Sequence, residues 1–240
     1  MRFSVNVSIA GISIKVNYSS SHFYDLIKDF VTEEKEECEC VLTQSMIEKE
    51  KNTLAIKQSD GYFELLAFIR SFCSYAALRS AILFHSTVVT YKGNAYVFAA
   101  PSGTGKTTHA KLWMDLLGNK ARILNGDKPF IRVLGKEDIP VVFGSPLKGK
   151  EGYGYNGSAP LKGICFISRG IENEIEKTSP DEALNLAYRQ LFLPEDDESA
   201  THSMNVLISI INNVPSYKLK CTKDIEAAKL SFETMTGEKI

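Results

Sequence analysis

The 240-residue chain predicts an α/β fold built round a phosphate-binding loop, and three observations carry that prediction. Short apolar runs of strand length, Tyr96-Val97-Phe98-Ala99-Ala100 among them, alternate with stretches whose apolar residues recur at helical spacing. Between that run and the helical stretch His109 to Leu117 lies the turn Pro101-Ser102-Gly103-Thr104-Gly105-Lys106-Thr107-Thr108. The next apolar run, Ala121 to Leu124, is followed at once by Asn125-Gly126-Asp127-Lys128-Pro129. The predicted architecture is a mixed sheet with flanking helices (residues 81–240, the P-loop domain), preceded by a small N-terminal α/β region (residues 1–80).

Taken in order, Phe3 to Val7 and Gly11 to Val16 alternate polar and apolar residues, as two strands joined by a short turn do. Phe23, Leu26, Ile27 and Phe30 give His22 to Val31 a helical face. The acidic run Glu33-Glu34-Lys35-Glu36-Glu37 reads as a solvated loop, and Cys38-Glu39-Cys40 as reduced residues in a strand. Asp60 is expected to cap a long helix through Leu78, with Phe63, Leu66, Ile69, Phe72 and Cys73 on one face. Ile82 to Tyr91 and Asn94 to Ala100 flank Lys92-Gly93, a hairpin leading into the loop. The helix after the loop packs through Ala110, Trp113 and Leu117 and ends at Gly118. Glycines crowd residues 144–157, and Leu161 to Ile167 is a buried strand. Ser179-Pro180-Asp181-Glu182 combines a serine cap, a proline at the first helical position and first-turn acids, opening a helix to about Phe192. A helix over Met204 to Ile211, a strand over Tyr217 to Cys221 and a last helix over Ile225 to Phe232 complete the chain, with His202 on the surface.

Composition narrows the function classes. A hydrophobic fraction of 44% and a charged fraction of 24% are those of a globular domain. A net charge of −1 gives no electrostatic footprint for nucleic acid or an anionic membrane. No apolar run is long enough to cross a bilayer, and Met1 to Asn6 lacks a secretory apolar segment. Five cysteines without a Cys-x-x-Cys pair argue against a disulfide framework or a zinc site. The expected compartment is the cytoplasm, where ATP and Mg²⁺ are plentiful.

The chemistry concentrates in two segments. In 101–108 the glycines let backbone N–H groups curl round a polyphosphate, and the helix N-terminus adds partial positive charge. Pro101, Ser102, Gly103, Thr104, Gly105 and Thr108 would form the cradle, Lys106 would reach the β- and γ-phosphates, and Thr107 would face Mg²⁺. Ala100 stands where the strict pattern has its first glycine. Asp127 lies 21 residues beyond Lys106, at the carboxyl end of the following strand. In a βαβ unit both strand ends share one sheet edge, so Asp127 should meet the loop as metal-bridging acid or acceptor base, or else serve as a turn aspartate. His85 opens the neighbouring hairpin strand, where a packed structural histidine is the alternative to a catalyst. Gly144 to Gly154, with Lys148, Lys150 and Glu151, could clamp a phosphate or an acidic acceptor, or form a solvated hairpin. Arg169 could reach nucleotide phosphate or pair with a surface acid.

Leu83-Phe84-His85-Ser86-Thr87-Val88-Val89, the Lys92-Gly93 hairpin, the loop to Thr108 and Leu124-Asn125-Gly126-Asp127-Lys128-Pro129 together resemble the HPr kinase/phosphorylase catalytic domain, and more closely the HPr-kinase-related proteins. Gly144-Ser145-Pro146-Leu147-Lys148-Gly149-Lys150 matches a further element of that pattern, without the tryptophan expected at Leu147. The loop is also similar to that of phosphoenolpyruvate carboxykinase, a fold relative. The resemblance spans roughly residues 60–230. It implies an HPr-kinase/PEP-carboxykinase-like fold and an ATP- and Mg²⁺-dependent kinase acting on a hydroxyl acceptor, serine of a protein or precursor peptide, or free serine or another small molecule. It further implies Asp127 as the base for the hydroxyl and His85 beside it, and Glu151 is the best match for the glutamate assisting the metal. Oligomers are common among HPr kinases, so a homo-oligomer is left open. Gly126 replaces the first acid of that family's Asp-Asp pair, and the loop for the reverse reaction is not recognisable. Neither phosphorylase activity nor HPr as substrate is therefore expected, and a nucleotide-binding regulatory protein without transfer is the second reading. Carboxykinase-like chemistry would need a second metal set of Lys, His and Asp, which the sequence does not offer.

Overall fold

The computed structural model describes residues 3–53, 57–135 and 137–240, so Met1 and Arg2 of the amino-terminal reading lie outside it. A small three-stranded sheet comes first. Strand β1 (Phe3–Ile9) pairs antiparallel with β2 (Ile12–Tyr18), and β3 (Cys38–Val41) joins β2 in parallel. Helix α1 (Ser21–Ile27), a 3-10 turn over Lys28–Phe30, α2 (Gln44–Thr53) and α3 (Asp60–Ala77) accompany it. The cap of α3 is Ser59, whose hydroxyl accepts from Tyr62 N–H. Asp60 is instead the first helical residue, where its charge still suits the helix N-terminus.

Phe23, Phe30, Phe68 and Phe72 are fully buried in the core beneath this sheet. That core runs on into the second half of the chain through Leu83, Phe130 and Leu147, and Phe72 meets Phe130 edge to face at 5.2 Å.

The larger sheet is mixed and curled, with helices on both sides. Its strands are β4 (Ala81–Leu83), β5 (Ser86–Tyr91), β6 (Asn94–Ala99), β7 (Ala121–Asn125), β8 (Phe130–Leu134), β9 (Ile139–Phe143), β10 (Ser158–Arg169), β11 (Glu174–Lys177) and β12 (Ser216–Cys221). The order is β4-β8-β9-β10-β6-β5-β7, with β12 on β10 and β11 on β12. The apolar stretch Ile82 to Tyr91 is two strands rather than one, broken at Phe84-His85. Helix α4 (Lys106–Leu117) packs on α7 (Ile225–Thr236) through Trp113, Leu117 and Phe232. Helices α5 (Pro180–Tyr188) and α6 (Asp197–Asn213) cover the other face through Ala183, Ala187, Leu207 and Ile210. Helix α5 has the expected Ser179 cap and first-position proline but ends at Tyr188, short of Phe192.

Inside the α4–α7 contact sits one buried polar cluster. Ser231 Oγ accepts from Trp113 Nε1–H at 2.8 Å and donates to the Ala228 carbonyl at 3.0 Å. His109 Nε2 lies 2.9 Å from the same oxygen, and its Nδ1 has no partner among the described residues. Since the serine proton is committed to Ala228, Nε2 carries the imidazole hydrogen. Among the described residues no helix is long and apolar enough to cross a membrane.

Candidate active site

Strands β6 and β7 run parallel, but they are not neighbours, because β5 lies between them and pairs antiparallel with both. Two reversals restore the direction, so the glycine loop after β6 and Asp127 after β7 still emerge at the same edge.

The register also explains where His85 goes. Val88 pairs with Asn125 and Leu83 with Phe130. Between those pairs, Ser86 N–H donates to the Asp127 carbonyl at 2.9 Å and Phe84 N–H to the Pro129 carbonyl at 3.0 Å. Residues 84–86 thus run alongside 127–129 and carry His85 to the Asp127 carboxylate.

The loop between β6 and α4 takes its shape from two glycines. Gly103 and Gly105 have φ of +76° and +125°, backbone that side-chain-bearing residues rarely adopt, although a Cβ at either would meet no atom within 4 Å. Conformation, not space, requires glycine there. The loop delivers Lys106 to the first turn of α4, whose opening N–H groups have no partner within the helix.

A chain of four polar side chains crosses the site. Lys128 Nζ is 2.6 Å from Asp127 Oδ2, Asp127 Oδ1 is 3.4 Å from His85 Nε2, and His85 Nε2 is 3.2 Å from Lys106 Nζ. Lys106 also donates to the Ala100 carbonyl at 2.8 Å. Burial works to raise the Asp127 pKa, but the hydrogen bond from His85 and the charge of Lys128 prevail and hold it at about 2. Asp127 is therefore an anion. Burial lowers the Lys106 pKa, opposed by Asp127.

These groups line a cleft of about 820 Å³. Its glycine-loop side carries Ser102, Gly103, Gly105, Lys106, Thr107 and Thr108. Opposite stand Asp25, Leu26, Gln58, Tyr62 and Leu65 from the N-terminal region. Residues 146–153, including Lys150 and Glu151, bridge the two sides. Lys148 pairs with Asp29 at 2.8 Å, and Glu151 pairs with Lys111 of α4 at 2.5 Å. The segment is a strap tied at both banks of the cleft.

Gly126 lies under that strap. A Cβ on Gly126 would come within 2.8 Å of the Lys148 carbonyl oxygen and 3.2 Å of that of Tyr153, and Gly126 N–H donates to the latter at 2.9 Å. The volume of a second carboxylate is filled by backbone.

Of the residues singled out in the sequence, Lys106, His85 and Asp127 come together, and Thr107, Thr108, Ser102, Gly103, Gly105, Lys150 and Glu151 share their cleft. Pro101 and Thr104 are not among its lining residues; Thr104 borders a small groove behind the loop. Arg169 stands on the same groove and braces the loop, donating to the carbonyls of Gly103 at 2.6 Å and Thr104 at 3.4 Å rather than to a surface acid. Among the described residues, no group of three or more His, Cys, Asp and Glu side chains is placed to hold a metal. Sequence reasoning missed the N-terminal wall, for which Tyr62 and Gln58 offer no signal. It also left unused Lys128, which the Asp127-Lys128-Pro129 segment displays openly.

No family model matches this chain, and no curated protein matches it. A solved structure described as the Hpr(Ser) kinase/phosphatase from Coxiella burnetii is similar at 8% sequence identity, covering 65% of this chain and 88% of that one with a TM-score of 0.35. The likeness is one of distant fold at most and carries no argument about activity.

Proposed function

We propose that the protein is an ATP- and Mg²⁺-dependent kinase with an HPr-kinase-like P-loop fold, transferring the γ-phosphate to a hydroxyl acceptor, serine of a protein or precursor peptide. The observation that carries the reading is the meeting of Lys106, His85 and an anionic Asp127 at the mouth of a glycine-shaped phosphate loop. A polyphosphate fits the loop by its backbone geometry and the positive end of α4. A hard divalent cation fits the Thr107 hydroxyl and phosphate oxygens as donors, arriving with the nucleotide rather than in a protein cage. ATP supplies the phosphoryl group, and the metal offsets its charge. The rest is done by this chain: Lys106 orients the phosphates, His85 holds the Asp127 carboxylate, and Asp127 takes the acceptor proton.

The test is to incubate the protein with Mg²⁺ and γ-labelled ATP in extract of its own host and to separate polypeptide from small-molecule label. Transfer that disappears in Lys106→Ala and Asp127→Asn supports the reading, and the labelled fraction separates a peptide acceptor from free serine or another small molecule. Gly126 favours a second reading, a nucleotide-binding regulatory protein without transfer, because the strap leaves no room for the second acid. Nucleotide binding with no transfer in any fraction would establish that one instead.

A further inference from the structure

We propose that Lys128 is a mobile phosphate-binding cation, covering Asp127 in the free protein and moving to the γ-phosphate when nucleotide enters, so that Asp127 is released to the acceptor. The inference rests on the kinase reading above and adds a residue to it.

The backbone of Lys128 is pinned while its side chain is not. Its N–H donates to Asn125 Oδ1 at 2.9 Å and to the Leu147 carbonyl at 3.3 Å, and its carbonyl accepts from the Ser145 hydroxyl. Its ammonium has one partner among the described residues, Asp127 Oδ2, and the side chain is 37% exposed along the cleft wall.

Of the two partners of Asp127, Lys128 is the closer, at 2.6 Å against 3.4 Å for His85. An ammonium held against a carboxylate weakens it as a proton acceptor, and its departure opens the Oδ2 side to a hydroxyl. His85 is the less exposed of the two side chains, 25% against 37%, and its short ring lies against Lys106. Lys128 is the partner on a long flexible stem, and a γ-phosphate held by the loop brings more negative charge than the carboxylate it leaves. In the transfer, the acceptor oxygen bonds to the γ-phosphorus as the bond to the β,γ-bridging oxygen breaks. The electron pair leaves with the nucleoside diphosphate, and the hydroxyl proton passes to Asp127. Lys128 keeps its proton throughout.

The experiment is calorimetric binding, with Mg²⁺, of ADP and of a non-hydrolysable ATP analogue to the wild type, Lys128→Met, Lys128→Gln, Lys128→Arg and Lys106→Ala. Wild type should prefer the triphosphate analogue. Lys128→Met and Lys128→Gln should lose about tenfold or more in affinity for it while binding ADP unchanged, and Lys128→Arg should recover part of the loss. Lys106→Ala should weaken both ligands. Equal weakening of both ligands in the neutral Lys128 variants, or of neither, overturns the role of Lys128 and leaves the kinase reading standing. A wild type that binds neither nucleotide overturns both.

Discussion

Ser231 receives two hydrogens from aromatic side chains, and the environment of one of them sets a pH dependence. Burial holds the His109 pKa down at about 4 against an ordinary value of 6.5. The folded protein therefore binds fewer protons than the unfolded chain, and this contribution is complete above pH 6.5 and lost as pH falls towards 4. Denaturant unfolding at pH 7 and pH 4.5 should show up to about 3 kcal/mol of loss from this residue, absent in His109→Gln. Ser231→Ala, which strands the Trp113 and His109 N–H groups in the core, should cost about 2–4 kcal/mol at pH 7 in the same measurement. In the cleft, Asp127→Asn should leave nucleotide affinity within a few-fold of wild type while phosphoryl transfer falls by about a hundredfold or more, as loss of a proton acceptor requires. Single residues were legible in the sequence where a backbone constraint or a charge shows itself: the glycines of the loop, Lys106, Asp127. Arg169 was seen but its use was not, since a guanidinium after a strand has many partners within reach and only the folded loop presents the carbonyls of Gly103 and Thr104.

Among elements, the strap over residues 146–153 is the one whose placement depends on a neighbour's lack of a side chain. Gly126→Ala inserts a methyl group against the carbonyl oxygens of Lys148 and Tyr153, the latter the one that Gly126 N–H binds, and should cost about 1–3 kcal/mol. Limited trypsin digestion should show earlier cleavage at Lys148 and Lys150 in that variant. The larger Gly126→Asp should displace the strap outright. Helix α2 gave no sequence signal because Gln44 to Thr53 carries only Met46 and Ile47 as apolar residues; its buried Glu50, paired with Arg70 of α3, holds it instead. Strands β8 and β9 were overlooked although two apolar runs on either side of Gly-Lys-Glu-Asp advertise them. The order β6-β5-β7 is a different case: local pattern marks each strand but not which strands lie side by side, and a simple βαβ neighbourhood was the natural assumption.

At the scale of the molecule, the core under the small sheet runs on into the larger sheet through Leu83, Phe130 and Leu147, while the core under helices α4 and α7 is a separate cluster. Phe72 of α3 lies against Phe130 of β8, while Trp113, the single tryptophan, is buried far along the chain between α4 and α7. Phe72→Ala should cost about 3–5 kcal/mol. If the two cores unfold together, the Trp113 fluorescence transition in denaturant shifts with the far-ultraviolet circular dichroism transition; a fluorescence midpoint left in place would show two independent units. The alternation of strand and helix that made the chain read as α/β follows from local chemistry, and it stands. The Phe72–Phe130 contact joins residues 58 apart and has no trace in any short window of sequence.

The strap's two moorings, Asp29 to Lys148 and Glu151 to Lys111, are partly exposed ion pairs. Dissolved electrolyte acts on such pairs and hardly on a buried core, since the screening length shrinks from about 10 Å at 0.1 M to about 3 Å at 1 M. Ionic strength thus acts on this segment as it does on other surface pairs such as Lys49–Glu195 and Lys92–Glu238, able to slacken the crossing above the cleft while the buried cores stay as they were.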